Sequence, residues 1–170
     1  MQIFQFALLL VFPALVIIAA VKDATSFTIP NWISLALIVA FVPAALFSGA
    51  SLAAIGLCLA MGVGALLVGM GMFAANWIGG GDAKLFAAAA LWLGWPAAFS
   101  FMLATGMAGG VLTLAVLGLR SGWFAPIVAG GPTWVRKLGA TGGDIPYGVA
   151  IAIGALATFP QGALALAIGA

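Results

Sequence analysis

Long apolar stretches, separated by short polar turns, make up most of this 170-residue chain. The first three stretches are residues 3–21, 32–47 and 52–75, and each ends at polar or small residues. A helix needs about 20 apolar residues to cross the hydrocarbon core of a bilayer, and these stretches are close to that length. The pattern therefore predicts three membrane-crossing helices joined by short turns.

The next apolar stretch, residues 83–120, is too long for one crossing. As a single helix it would be about 55 Å long, nearly twice the thickness of the hydrocarbon core. The Gly94-Trp95-Pro96 segment suits a turn, which leaves a short fourth helix over residues 83–93. A helix that continues through Pro96 and turns near Thr105 is the alternative.

Residues 120–144 contain no crossing stretch, and their basic and tryptophan residues predict a loop anchored at the membrane interface. Residues 145–168 form the sixth predicted crossing, with Asp144 as the helix cap and Pro146 in the first turn. The predicted fold class is thus an all-α integral membrane protein, a polytopic bundle of about six transmembrane helices.

The composition agrees with this class, since 66% of the residues are hydrophobic, 5% are charged and the mean hydropathy is +1.33. We expect a single membrane-embedded domain over residues 1–170, with no methyltransferase or zinc-binding region. Cys58 is the only cysteine, which excludes a disulfide within one chain and a four-cysteine zinc site. Five basic residues are too few for a nucleic-acid surface, and the sequence indicates no metal and no cofactor.

The charged residues all fall on one side of the membrane when the six crossings are counted. They are Lys22, Asp23, Asp82, Lys84, Arg120, Arg136, Lys137 and Asp144. The positive-inside rule assigns this side to the cytoplasm and places both termini outside.

Asp23 and Asp82 are the candidate reactive groups, because ionisable residues at membrane depth are costly and often functional. Each could instead cap a helix or pair with Lys22 or Lys84. Three glycines directly before Asp82 favour a functional role, since they suit a bent backbone or the close approach of another peptide. With no histidine and no other acid besides Asp144, the chemistry is restricted to aspartic hydrolysis or proton relay.

In aspartic hydrolysis two carboxylates share one proton: the ionised one activates water and the protonated one polarises the scissile carbonyl. The rival hypothesis is a small proton-coupled transporter or membrane assembly subunit that uses both aspartates as a relay. A relay needs acids at different depths, whereas these lie on one side. A purely structural scaffold leaves the triple glycine unexplained.

Three motifs in order carry a family resemblance: Asp23 followed by Ile29-Pro30-Asn31, then Gly79-Gly80-Gly81-Asp82, then Ile145-Pro146-Tyr147-Gly148. This pattern resembles the type IV prepilin peptidases, GxGD-type membrane aspartic proteases, and in particular the short TadV/CpaA branch that serves Flp-type pili. The resemblance implies that Asp23 and Asp82 are catalytic. It further implies a prepilin substrate in the bilayer, whose basic leader is cut after a glycine at the cytoplasmic face of the inner membrane.

The resemblance also indicates residues that shape the site: Asn31, Gly79, Gly80, Gly81, Lys84, Pro146 and Tyr147. Lys84 either stabilises the charge of the dyad or, as we expect, reaches to the interface as an anchor. Asn31 either orients Asp23 or only starts the second helix. Relatives usually carry basic residues between the first aspartate and Ile29, and this chain has none there, which bears on leader preference.

Overall fold

The computed structural model describes residues 2–140 and 142–169. In these ranges the long apolar stretches of the sequence are helical. Met1, Thr141 and Ala170, which the single-domain prediction includes, lie outside the described residues. Within the described ranges there is no strand, as predicted. The helices are α1 (Gln2–Ser26), α2 (Asn31–Phe47), α3 (Leu52–Ala74), α4 (Gly80–Leu93), α5 (Ala97–Arg120), α6 (Ala125–Gly130), α7 (Thr133–Gly139), α8 (Tyr147–Thr158) and α9 (Ala163–Ile168).

Four segments are long and apolar enough to cross a membrane: α1, α3, α5 and Tyr147–Ile168, which combines α8 and α9. Helix α2 is apolar but has 17 residues, and α4 has 14. The described part of the chain is therefore that of an all-helical membrane protein with four candidate crossings. Six crossings, and the sides of the two termini, stay predictions.

Helix α1 is longer than the sequence predicted, and this changes the setting of Asp23. We expected a polar turn from residue 22, but the helix continues to Ser26, where the hydroxyls of its last polar residues bond back within the helix instead of opening it into a turn. The hydroxyls of Thr25 and Ser26 donate to the carbonyl oxygens of Val21 and Lys22, at 2.7 and 2.6 Å. Asp23 thus projects from a helix rather than from a turn.

Helix α4 lies at the centre of the fold. It packs against α2, α3, α5 and α8, and almost every side chain from Leu85 to Leu93 is buried. The Trp92 indole N–H donates to the Leu37 carbonyl oxygen at 2.8 Å, which joins α4 to α2. The helix ends at Leu93 and α5 begins at Ala97, so the predicted turn at residues 94–96 is confirmed and the later turn is wrong.

Two other expectations about the last third of the chain need correction. The segment from residue 120 to residue 144 is not a plain loop, since it contains a 3₁₀ turn (Gly122–Phe124) and the short helices α6 and α7. The predicted sixth helix is broken by a second 3₁₀ turn, Phe159–Gln161, because Pro160 has no N–H to continue the hydrogen-bond pattern.

Candidate active site

Asp23 is held by a contact between the first and the last third of the chain. Its side chain is buried in the last turns of α1, with 5% of its surface exposed. Its Oδ2 atom accepts a hydrogen bond of 2.7 Å from the backbone N–H of Gly148, in the first turn of α8. A buried carboxylate with such a donor is fixed in position.

Asp82 lies in the first turn of α4, outside the four crossing segments. Gly79 is the N-cap of this helix, and a Cβ atom added to Gly79 would lie 2.9 Å from Asp82 Oδ2. Burial raises the pKa of Asp82 to about 7, the negative charge of Asp23 adds to the rise, and a hydrogen bond from the Gly79 backbone opposes it. Near neutral pH this carboxyl is therefore present in both its protonated and its ionised form.

Ile29 joins the helix that carries Asp82 to the helix that holds Asp23 in place. It is buried in the loop between α1 and α2, and both α4 and α8 approach it through glycines. A Cβ on Gly81 would lie 3.1 Å from Ile29 Cβ, and a Cβ on Gly148 would lie 2.7 Å from Ile29 Cδ1. The backbones beside Asp82 and Asp23 thus converge on one side chain, which explains why the charge of Asp23 acts on Asp82.

The three consecutive glycines have three different contacts. Gly79 gives room to the Asp82 carboxylate, and Gly81 gives room to Ile29. A Cβ on Gly80 would lie 3.3 Å from the Phe73 ring at the end of α3. A larger residue at position 79 would displace the Asp82 carboxylate, and larger residues at positions 80 and 81 would push the start of α4 away from Phe73 and Ile29, so the triple glycine is a packing requirement of the site.

Lys84 and Asn31 contact each other. The Lys84 ammonium donates to Asn31 Oδ1 at 2.9 Å, which connects the first turns of α4 and α2 at an exposed position. Neither role weighed from the sequence included this hydrogen bond. This hydrogen bond joins α2, which follows the loop of Ile29, to α4, which begins at the triple glycine.

Pro146 and Tyr147 lie where α8 begins. Pro146 is buried and is the N-cap residue of α8, which has no side-chain cap. The predicted capping role of Asp144 is therefore wrong: helix α8 starts later, at Tyr147, and Asp144 is exposed before it. The Tyr147 hydroxyl shares a hydrogen bond of 3.1 Å with Thr113 Oγ1, so its ring faces α5.

Sequence reasoning missed Gly148 and Ile29 as parts of the site. Both lie in motifs that the sequence analysis singled out, but neither has a polar side chain. Gly148 acts through its backbone N–H, and Ile29 through its volume. The one sequence signal for Gly148 was its place directly after Pro146 and Tyr147. That signal is weak, because this chain has glycines in most of its segments.

The arrangement can perform acid–base chemistry with two carboxyls. One, Asp23, is buried and held by an N–H donor; the other, Asp82, has a pKa near neutrality. Such a pair divides the roles of proton acceptor and proton donor. Among residues 2–140 and 142–169, no group of three or more Asp, Glu, His or Cys side chains is placed to hold a metal ion.

Comparison with protein families gives a match for this chain. The model of the type IV leader peptidase family matches residues 10–114, which is more than half of the sequence. The matched range contains Asp23 and Asp82 and ends in α5, before the motif that contributes Gly148. Comparisons with curated proteins and with solved structures gave no match.

Proposed function

The chain belongs to the type IV leader peptidase family, and we propose that it cleaves Flp-type prepilins as an aspartic peptidase of the TadV/CpaA branch. The family match supports leader peptidase activity in general. The branch rests on the three sequence motifs and on their spacing. The family match gives no support to a proton relay.

The observation that carries the aspartic mechanism is the pairing of Asp23 with Asp82. Asp23 Oδ2 accepts from the Gly148 N–H, and burial together with the negative charge of Asp23 raises the pKa of Asp82 to about 7. A raised pKa in one of two neighbouring carboxyls is what a single shared proton requires.

In the proposed reaction a water molecule lies between the two carboxyls. Asp23 takes a proton from this water, whose oxygen attacks the carbonyl carbon of the peptide bond, while Asp82 donates its proton to the carbonyl oxygen. In the tetrahedral intermediate the C–N bond then breaks. The leaving nitrogen receives the proton from Asp23, and the carbonyl re-forms as its hydroxyl proton returns to Asp82, so both carboxyls regain their starting states.

The proposed site of action is the cytoplasmic face of the inner membrane. Every lysine and arginine of the chain lies on the predicted cytoplasmic side, where both aspartates also lie. A prepilin would present its basic leader on this side and its apolar helix within the bilayer. The bond cut would follow a glycine at the junction between these two parts.

Co-expression with a tagged Flp-type prepilin tests this function. We expect wild type to convert the prepilin to a shorter band, Asp82→Asn to leave it uncut, and the control Asp144→Asn to cut it nearly as well as wild type. Asp144→Asn serves as the control because it removes a carboxylate that is exposed and is not part of the Asp23–Asp82 pair. An uncut prepilin beside well-expressed wild type would contradict the proposed substrate, and cleavage by Asp82→Asn at the wild-type level would contradict the mechanism.

A further inference from the structure

An apolar groove of about 720 Å³ runs between α2, α3 and α4. One charged side chain, that of Lys84, lines it, and most of its other lining side chains are aliphatic or aromatic. The lining residues are Asn31, Ser34, Leu35, Ile38, Leu59, Gly62, Val63, Leu66, Met70, Phe73, Gly80, Ala83, Lys84, Ala87, Ala88 and Leu91.

The groove begins at the candidate active site. The helical turn that supplies Gly80, Ala83 and Lys84 to the groove also carries Asp82. From there the groove follows one face of α4 to Leu91, a distance of about 16 Å at the rise of an α-helix. Its polar side chains, those of Lys84, Asn31 and Ser34, lie toward the end beside Asp82, and its apolar part leads away from the aspartates.

The shape of the groove suits a helix. Its floor consists of small residues, with Gly62, Ala83, Ala87 and Ala88 among them. Small residues let the backbone of a second helix approach closely, which is how helices associate within a bilayer. The walls are large apolar side chains that are exposed in the isolated chain, such as Val63 at 57%.

We propose that this groove binds the first turns of the substrate's apolar helix, directly after the bond that is cut. The inference rests on the proposed function and names its helix-binding site. Continuity with the turn of Asp82 orients the occupant: the cut bond lies at the polar end, and about three helical turns fill the apolar part.

A second groove, of about 560 Å³, lies between α5 and α8 and suits the substrate helix less well. It contains no residue of α4, and hydroxyl groups from Thr105, Thr113 and Tyr147 line it. Tyr147, at its end nearest Asp23, is hydrogen bonded to Thr113. This groove therefore provides a matched control site of similar size on the other side of the bundle.

Tryptophan substitution tests the proposal by filling one groove at a time. Val63→Trp fills the α2–α3–α4 groove, and Leu114→Trp, at a residue that is 71% exposed, fills the control groove. Each variant is assayed with full prepilin and with a soluble peptide that contains the leader and the cleavage junction but lacks the apolar helix.

We expect Val63→Trp to lower kcat/KM for prepilin by at least about tenfold, equivalent to about 1.4 kcal/mol of lost stabilisation, and to leave peptide cleavage unchanged. Leu114→Trp should cleave both substrates like wild type. Unchanged prepilin cleavage by Val63→Trp would show that the groove holds lipid only, and a selective loss in Leu114→Trp would assign the substrate to the other groove. Failure of wild type to cut either substrate would contradict the proposed function instead.

Disulfide cross-linking tests whether the substrate helix occupies the α2–α3–α4 groove without relying on activity. The native Cys58 is fully buried, so a cysteine introduced on the surface is the reactive one. Val63→Cys should cross-link to a prepilin with a cysteine in the first turns of its apolar helix. Val68→Cys, also on α3 but outside the groove and 65% exposed, should not. Equal cross-linking of the two variants, or none with Val63→Cys, would overturn the proposal.

Discussion

At the scale of single residues, Gly148 has two roles that a larger residue could not combine. Its N–H donates to Asp23 Oδ2, and its Cα hydrogen leaves space for the same carboxylate. A Cβ at this position would lie 2.8 Å from Asp23 Oδ2 and 2.7 Å from Ile29 Cδ1. The added Cβ would also lie 3.0 Å from Asp23 Cβ, so a methyl group here would shift the Asp23 carboxylate relative to the start of α8.

We therefore predict that Gly148→Ala folds but lowers the cleavage rate by about 100-fold, since misplacing a catalytic group by about 1 Å can cost that much. Prepilin cleavage by purified protein would measure this loss. The control is Gly118→Ala on α5, where an added Cβ meets no atom within 4 Å. Full activity in Gly148→Ala would show that the contact with Asp23 does not position the carboxylate.

The two aspartates could be predicted from the sequence because they are rare polar residues in an apolar chain. The donor that holds Asp23 could not be predicted, because any non-proline residue has a backbone N–H and the fold alone decides which one reaches a carboxylate. The link between Lys84 and Asn31 joins residues 53 positions apart in the sequence, so it too depends on how α2 and α4 pack.

At the scale of helices, the contact between α3 and α4 depends on glycines of α3. A Cβ on Gly62 would lie 2.8 Å from Leu91 Cβ, and a Cβ on Gly69 would lie 3.1 Å from Ala83 Cβ. The atoms opposite Gly62 are close to the backbone and cannot rotate away, so a larger residue there would push the helices apart. This contact also forms the floor of the groove beside Asp82.

Gly62→Ala should accordingly lower the free energy of unfolding by about 1–3 kcal/mol, the usual cost of overpacking. The measurement is thermal unfolding of the purified protein in detergent. Gly64→Ala is the matched control on the same helix, where an added Cβ meets no atom within 4 Å. Its stability should stay the same or rise slightly, because alanine favours a helix. Equal Tm values for the two variants would contradict close packing at Gly62.

Helix bounds followed from the apolar stretches where glycine and proline divide one that is too long for a single crossing, as at residues 94–96. They were wrong where local hydrogen bonds extended a helix, as at Thr25 and Ser26, and where Pro160 interrupted one. The pairing of α3 with α4 was not predictable, because glycine and alanine occur in most helices of this chain and do not identify their partners.

At the scale of the whole molecule, basic side chains connect distant parts of the sequence at one end of the bundle. Lys137 Nζ lies 4.7 Å from the centre of the ring of Phe27, the residue that follows α1. Arg120 donates to the carbonyl oxygens of Leu138 and Gly143, so the end of α5 is tied to the chain before α8. The sequence predicted this end as the cytoplasmic one.

We predict that this end faces the cytoplasm, and cysteine labelling can measure it. Trp123→Cys, at a residue that is 91% exposed near the basic end, should react with a membrane-impermeant maleimide only in inverted vesicles. Leu52→Cys, at a residue that is 88% exposed at the opposite end, should react only in intact spheroplasts. The reverse pattern would place the aspartates outside the cell and contradict the proposed site of cleavage.

The central claim is that Asp23 and Asp82 act as one catalytic unit, and a comparison of single and double variants tests it most directly. Initial rates of prepilin cleavage would be measured for wild type, Asp23→Asn, Asp82→Asn and the double variant. We predict that each single variant loses at least about 100-fold in rate and that the double variant is no slower than either, because groups acting as a unit are not additive. A single variant near the wild-type rate, or a double variant far slower than both single variants, would contradict the claim.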